Sequence, residues 1–522
     1  MGRALGRRAL SEPEAQSSAA TADLAALARG GRINFFGFVL RLAARLPFLF
    51  IAGRMYGAAA LGRFAYAILI VEFAAQIATL GLKRGLAQQL AHTDKPHNCV
   101  AWDALVVALL GSAVTMAILL VFPQAMYPNS KVEGMDRLLA ITVIALAWSD
   151  IMLAALAYRH DVGATVRARA IVEPWTISIA AFVLAFVDKR DGLIIAYVLS
   201  MVGALAASAV PFFKSYGVPH DWRPEPGTLW YMARKNVPVA AADAVEWGSR
   251  RVDIAVLGLF FAPQIVGIYY VAQQVASLPS KLKTSFDPIL GPVIAQNLRA
   301  QNKQAVAKQV RQVGFWVIAA QTGVALALGI PGEGVMGLVG PNFVSGTAAL
   351  AFLLTAEVVA AMAAVSEAAL IYIASHKNMW ISLTMIVLEA LLSAVLIMVM
   401  RDMGLPLMWQ ATGPAIALLL ALAFAAIAKS HLLSRLLNAP VSGWRWPLVW
   451  AAAAAVIAGE LAILLPEWAE LVLGVPAIMI VFGAVLWTRG FGPEDRELFK
   501  MRKRDIEELS LPDPSRGGDA PR

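Results

Sequence analysis

Five charged residues stand inside one apolar run of this 522-residue chain: Asp243, Glu246, Arg250, Arg251 and Asp253, within the stretch 240–260, AAADAVEWGSRRVDIAVLGLF. At about 100° per residue on a helix, Asp243, Glu246, Arg250 and Asp253 fall within an arc of roughly 80°, with Arg251 about 80° to its other side. Read as one helix over 237–261, the run places Arg250 about 20 Å from its start and about 16 Å from its end. That is bilayer-midplane depth, where charge is costly and normally faces water or a partner, so the run is expected to line a functional pathway. Guanidinium groups grip phosphate oxygens bidentately and stay charged when partly desolvated. The carboxylates have three uses at such depth: pairing with the arginines, carrying a coupling proton, or ligating sodium. Sequence alone does not separate them.

A second basic pair, Arg41 and Arg45, is spaced i, i+4 in the first apolar run. With Arg250 and Arg251 these residues could form a cationic cavity for an anionic substrate. The plainer alternatives are that Arg41 reaches to the membrane interface and that Arg250 is neutralised by Glu246 and Asp253 on its own helix. Glu357 and Glu367 are the coupling-ion candidates further along the chain, while Glu72, Asp150, Glu389 and Glu460 also lie in or near apolar runs. Lys281 and Lys283, between Pro279 and Pro288, either attract an anionic headgroup at an entrance or are ordinary positive-inside charge. Other chemistry has little support. The single cysteine, Cys99, excludes an internal disulfide framework, and six scattered histidines make no metal constellation. There is no G-x-x-x-x-G-K-[ST] phosphate loop and no H-E-x-x-H pair, so neither an enzyme nor a cofactor is expected.

The elements that position these groups are membrane spans. The chain is 59% hydrophobic and 15% charged, with a mean hydropathy of +0.66, far from a soluble average. At the ~20 residues a helix needs to cross, spans are legible at 34–53, 64–82, 100–123, 138–158, 170–187, 192–213, 237–261, 264–295, 312–330, 346–373, 380–400, 406–428, 446–465 and 469–488. The expectation is therefore an all-α polytopic protein of about fourteen transmembrane helices. If the N-terminus is cytoplasmic, inner loops carry more than twice as many Lys and Arg as outer ones, which puts both termini inside. The net charge of +9 is thereby explained by topology and not by nucleic acid.

A weak repeat runs through the spans. At an offset of 205 positions, Arg45 meets Arg250, Gly53 meets Gly258, Gly62 meets Gly267 and Ala67 meets Ala272, with Phe64 opposite Tyr269. Such parallel repeats place substrate sites between them near mid-membrane. The segments 42–91, LAARLPFLFIAGRMYGAAALGRFAYAILIVEFAAQIATLGLKRGLAQQLA, and 250–282, RRVDIAVLGLFFAPQIVGIYYVAQQVASLPSKL, together resemble the oligosaccharide-lipid flippases of bacterial polysaccharide biosynthesis. Those flippases share a superfamily with the multidrug and toxin extruders. The resemblance implies two six-helix lobes (34–213 and 237–428) joined by a cytoplasmic linker at 214–236, two further helices at 446–488, and cytoplasmic tails at 1–33 and 489–522. It further implies a protein of the bacterial inner membrane that moves a polyprenyl-pyrophosphate-linked oligosaccharide between leaflets by alternating access. The glycan would serve O-antigen, capsule or exopolysaccharide assembly, with H+ or Na+ as coupling ion, membrane lipids around the protein and other polysaccharide-assembly proteins as partners. Arg45 and Arg250 match the basic cavity of that family by position. The acidic neighbours of Arg250 depart from it. A peptidoglycan-precursor flippase or a multidrug cation antiporter would share the layout. A membrane glycosyltransferase would need larger loops than these.

Overall fold

The computed structural model describes residues 46–219, 222–284, 287–492 and 495, and every regular element among them is helical. In chain order the helices are α1 (46–56), ending in a π-helical turn Ala52–Tyr56; α2 (Gly57–Ala78); α3 (Leu82–Ala91); α4 (His97–Val121); α5 (Leu138–Tyr158); α6 (162–184), with a π-helical turn Val166–Val172; and α7 (Gly192–Tyr216). Next come α8 (Pro226–Gly248), α9 (Val252–Phe260), α10 (Pro263–Thr284), α11 (Asp287–Arg299), α12 (Lys303–Gly329), α13 (Gly332–Val339), α14 (Thr347–Ile373), α15 (Ser375–Asp402), α16 (Gly413–Leu437), α17 (Pro447–Ile463) and α18 (467–490).

Among the described residues, nine helical stretches are long and apolar enough to cross a membrane by length and composition, and α17 is a shorter apolar helix. The nine cover ten of the fourteen runs expected from hydropathy, because the first two lie in one stretch, Leu46–Ala91. The other expected runs differ for visible reasons. The fifth falls in α6, which carries Arg167, Arg169 and Glu173, and the thirteenth is only 17 residues long. The eighth is described as α10 and α11, on either side of residues 285 and 286, which lie outside the described residues.

The seventh run is the important correction. It is not one helix over 237–261: α8 starts earlier, at Pro226, and the helix breaks after Gly248, with Arg251 at φ −144° and ψ 0° before α9 begins. Glycine has weak helix preference, and Ser249 turns its hydroxyl back onto the Glu246 carbonyl at 2.8 Å. Distant partners hold the break open, since Arg251 reaches Glu72 on α2 and the Asp253 N–H reaches Glu389 on α15. Asp243, Glu246, Arg250 and Asp253 therefore do not share a helix face.

Helices α2–α7 pack among themselves, as do α9, α10, α12 and α14–α16, while α17 and α18 pack on each other and on α12. The two larger groups meet along α2 and α10. There the backbones touch: a methyl group at Gly62 would run into the Pro263 carbonyl, and one at Gly267 into the Ala58 carbonyl. Small residues one turn apart on both helices permit this approach. The buried apolar residues form one continuous core at the end holding Gly57, the 122–137 loop and Ala262. Toward the other end they separate into three clusters, one within α3–α8, one within α11–α18 and a small one of Met385, Ala421 and Ala425 between α15 and α16. At the joined end the Asn129 side-chain amide donates to the carbonyls of Gly258 (2.7 Å) and Phe261 (3.0 Å), tying a loop of the first group to the end of α9.

Asp495 fastens the end of the described chain. It accepts from Gln312 (3.1 Å) and Trp316 (3.0 Å) on α12, from Arg445 (2.9 Å) and from the Gly492 N–H (2.9 Å). Burial pushes its carboxyl up, but the donated bonds and the Arg445 charge outweigh this and hold it below the ordinary carboxylate range. A depressed folded value gives a contribution that is complete at neutral pH and is lost as pH falls from about 4 through that lower value. Hydrogen exchange at 486–492 is expected to accelerate over that acid window in wild type, and to be fast at pH 7 already in Asp495→Asn. Equal protection of the variant at pH 7 would remove the carboxylate from this role.

Candidate functional site

The break between α8 and α9 is where charge collects. Helix α8 packs on α2, α3 and α4 of the first group, still touching α2 near its end through Trp247 and Phe73, and on α15 of the second. The helix therefore crosses from one helix group to the other, and Arg250 and Arg251 sit at the crossing.

Three oppositely charged contacts surround it. Arg84, on α3, places Nε 3.1 Å from Asp243 Oδ1 and Nη2 2.6 Å from Glu246 Oε2. Arg251 pairs with Glu72 at 2.8 Å and lies 4.7 Å over the Trp247 ring, which packs in turn on Phe73 at 5.0 Å. Arg250 is exposed and has no ion pair among the described residues. Deeper in the same group, Asp150 on α5 accepts from Lys83 at 3.0 Å and from Arg169, which also binds Glu173 at 2.9 Å. The Tyr197 hydroxyl is buried without a hydrogen-bond partner among the described residues. Each of Lys83, Arg84, Arg169 and Arg251 is thus matched by at least one carboxylate. Among the described residues the site is a balanced network around one unmatched arginine, Arg250, and not a purely cationic cavity.

A second centre lies at the start of α9. Asp253 is fully buried, accepts from Tyr269 Oη at 2.8 Å and receives the Gln273 amide on both oxygens at 2.9 Å. Its own N–H donates to Glu389 Oε1 at 3.1 Å. Glu389 is fully buried too, and its other oxygen, Oε2, has no partner among the described residues. Two carboxyl groups with no basic partner among the described residues, in an apolar interior, cannot both carry charge cheaply. Such a pair suits a proton or a small cation.

The remaining sequence candidates occupy varied positions. Arg41 and Arg45 lie outside the described residues, so the expected pairing of Arg45 with Arg250 across a cavity is not part of the described geometry. Lys281 and Lys283 continue the backbone of α10, and their side chains lie outside the described residues. Glu357 is half-buried on α14. Glu367 faces a cation: Lys429, 4% exposed, is 3.2 Å from it and 3.0 Å from Ser382 Oγ. The charge of Lys429 ends an apolar run and reads as an inner loop, but α16 continues past it to Leu437. Glu389, Tyr269, Gln273 and Arg84 are the site residues that sequence reasoning does not single out. The one available signal is the offset repeat, in which Phe48 and Phe64 stand where Asp253 and Tyr269 stand. Phe48 and Phe64 pack ring to ring at 5.7 Å, and the corresponding pair in the second half is the Asp253–Tyr269 hydrogen bond.

The fold has solved counterparts. The chain is similar to an inward-facing multidrug resistance MATE family transporter of the MOP superfamily, at 14% identity and a TM-score of 0.60, covering 77% of this chain and 99% of that one. It is equally similar to the lipid II flippase MurJ in an inward closed conformation, at 11% identity and 0.60, covering 88% and 98%. A MOP superfamily transporter from Pyrococcus furiosus, described as having a binding pocket of reverse polarity, aligns at 15% identity and 0.51, covering 79% and 96%. No curated protein matches the chain. The architecture is therefore that of the MOP transporters and flippases, as the sequence resemblance implied. A family model described as polysaccharide biosynthesis protein matches residues 51–330. That match takes in α2–α12, with Glu72, Arg84, Arg251 and Asp253 but not Glu389 on α15, and on it the chain belongs to the polysaccharide biosynthesis protein family.

Proposed function

We propose that this protein flips a polyprenyl-pyrophosphate-linked oligosaccharide across the bacterial inner membrane by alternating access, using an H+ or Na+ gradient felt at Asp253 and Glu389. The observation that carries this reading is the apolar core, continuous at one end and divided at the other, with arginines placed where α8 crosses between the helix groups. A divided core gives an amphiphile access from one side only. Arginine is the side chain suited to a diphosphate within a membrane protein. The two groups correspond to lobes 34–213 and 237–428, and the divided end is assigned to the cytoplasm together with both termini and the 214–236 linker. Residues 226–236 of that linker already belong to α8.

Gene deletion is expected to leave a lipid-linked glycan accumulated in the inner leaflet, and Arg250→Ala or Arg45→Ala is expected to reproduce that accumulation with normal membrane levels of protein. Unchanged surface polysaccharide in both variants would refute the reading. The buried acids favour a second one, a cation antiporter, because a cationic drug could compete for them. Drug-dependent proton efflux from proteoliposomes, with no glycan accumulation in the deletion strain, would select it. A peptidoglycan-precursor flippase would share the diphosphate chemistry and be told apart by which lipid accumulates.

A further inference from the structure

Arg84 stands between two glycines that fix α3 against α8. Gly81, in a left-handed turn at φ 74°, leaves no room for a methyl group beside the backbone of Asn236 and Ala240, and Gly85 lies directly under the Asn236 side chain. The arginine therefore has little choice of position. Its partners are unequal. Glu246 is 63% exposed and makes a short, aligned hydrogen bond, whereas the Asp243 side chain is 2% exposed. Neither Asp243 oxygen has a hydrogen-bond partner among the described residues, although one lies 3.1 Å from Arg84 Nε. A buried carboxylate that is charge-matched yet not hydrogen-bonded is an expensive arrangement, and the neighbouring guanidinium offsets only part of its desolvation. Arg84 itself is 57% exposed, so an incoming anion can reach it.

We propose that Asp243 and Glu246 act as internal stand-ins for an anionic diphosphate head group, and that exchange of these acids for the diphosphate at Arg84 unclamps α8 from α3. A diphosphate offers the planar guanidinium more oxygens in better geometry than the two acids do. The exchange makes Arg84 the residue that reads the head group, and gives the acidic half of the α8 cluster a purpose. An amphiphile without a strong anion cannot displace the acids and leaves the helices joined. No bond is made or broken covalently. The proposal rests on the transport reading above and adds how the diphosphate is recognised and what its binding releases.

The test uses the full-length protein in detergent, with geranylgeranyl pyrophosphate and inorganic pyrophosphate as probes, titrated by calorimetry. Glu246→Gln and Asp243→Asn/Glu246→Gln are expected to bind geranylgeranyl pyrophosphate more tightly, the double variant by on the order of tenfold, and Arg84→Ala more weakly by a similar factor. Glu246→Gln alters an exposed side chain and keeps the experiment decisive if the double variant unfolds. Tighter binding of both probes supports exchange with the diphosphate as such; tighter binding of the lipid alone supports exchange with a lipid-borne head group. Wild-type binding that the acid variants leave unchanged or weaken would overturn the exchange while leaving the transport reading intact. A folded wild type and folded variants that bind neither probe would overturn both.

Discussion

Asp253→Asn is expected to reduce gradient-driven transport in proteoliposomes to background while leaving the protein folded. The carboxylate is fully buried, is held by Tyr269 and Gln273, and lies beside a second buried acid whose Oε2 has no partner among the described residues. An asparagine keeps the size and accepts the Tyr269 bond, but cannot exchange a proton or bring a full charge to a cation. Removing a buried charge that has no basic partner among the described residues should be neutral for stability or raise it by roughly 1 kcal/mol. The split between the two readouts matters. A structural role would lower the unfolding temperature together with transport, whereas a coupling role lowers transport alone. Glu389→Gln should behave alike, and Glu367→Gln should not, because Glu367 already has Lys429 opposite it. Uptake that keeps its full response to imposed proton and sodium gradients in Asp253→Asn would end the coupling assignment.

The second large effect is expected at the seam between α2 and α10. Gly62→Ala or Gly267→Ala places a methyl group against backbone carbonyls, which cannot rotate away as a side chain would. Forced overpacking of this kind costs about 1–3 kcal/mol. The contact is reciprocal: Gly62 meets Pro263 and Gly267 meets Ala58, and the offset of 205 positions carries Gly62 onto Gly267 and Ala58 onto Pro263. The first substitution already pushes the helices apart, so the double variant should cost clearly less than the two singles added together. Thermal unfolding of the three variants measures this. Full additivity would mean that the two contacts yield independently, and that the seam is not one hinge-like surface.

How far sequence reaches into this molecule can be judged from the same residues. Hydropathy locates the helices because each span is long and its average is dominated by apolar residues. The repeat, including the Gly62 and Gly267 match, is visible as a pattern, although nothing in a linear offset says that the two glycines touch. The break after Gly248 is not legible. Glycine is common in membrane helices, and the groups that stabilise the break, Glu72 and Glu389, are far away in the chain. The shared face of charges fails for the same reason, since a helical wheel assumes continuity that Arg251 interrupts. Glu389 is one of several acids in apolar runs, and only packing shows that it meets the Asp253 backbone. Lys429 reads as loop because its charge ends the apolar run, when its stem and head are in fact enclosed beside Glu367 and Ser382.

The placement of α8 bears on how the chain is assembled during synthesis. As an isolated segment it is a poor candidate for release into lipid, because Asp and Arg near a helix centre each oppose insertion by about 2.5–3.5 kcal/mol. The side chain that answers Asp243 and Glu246, Arg84, is translated earlier and stands on α3, and Glu72 on α2 likewise precedes its partner Arg251, just past the end of α8. The first seven helices thus act as the receiving scaffold for the eighth. Helices α9 to α18 are threaded from a strand of chain already docked, and the second half of the protein inherits its starting position from the first.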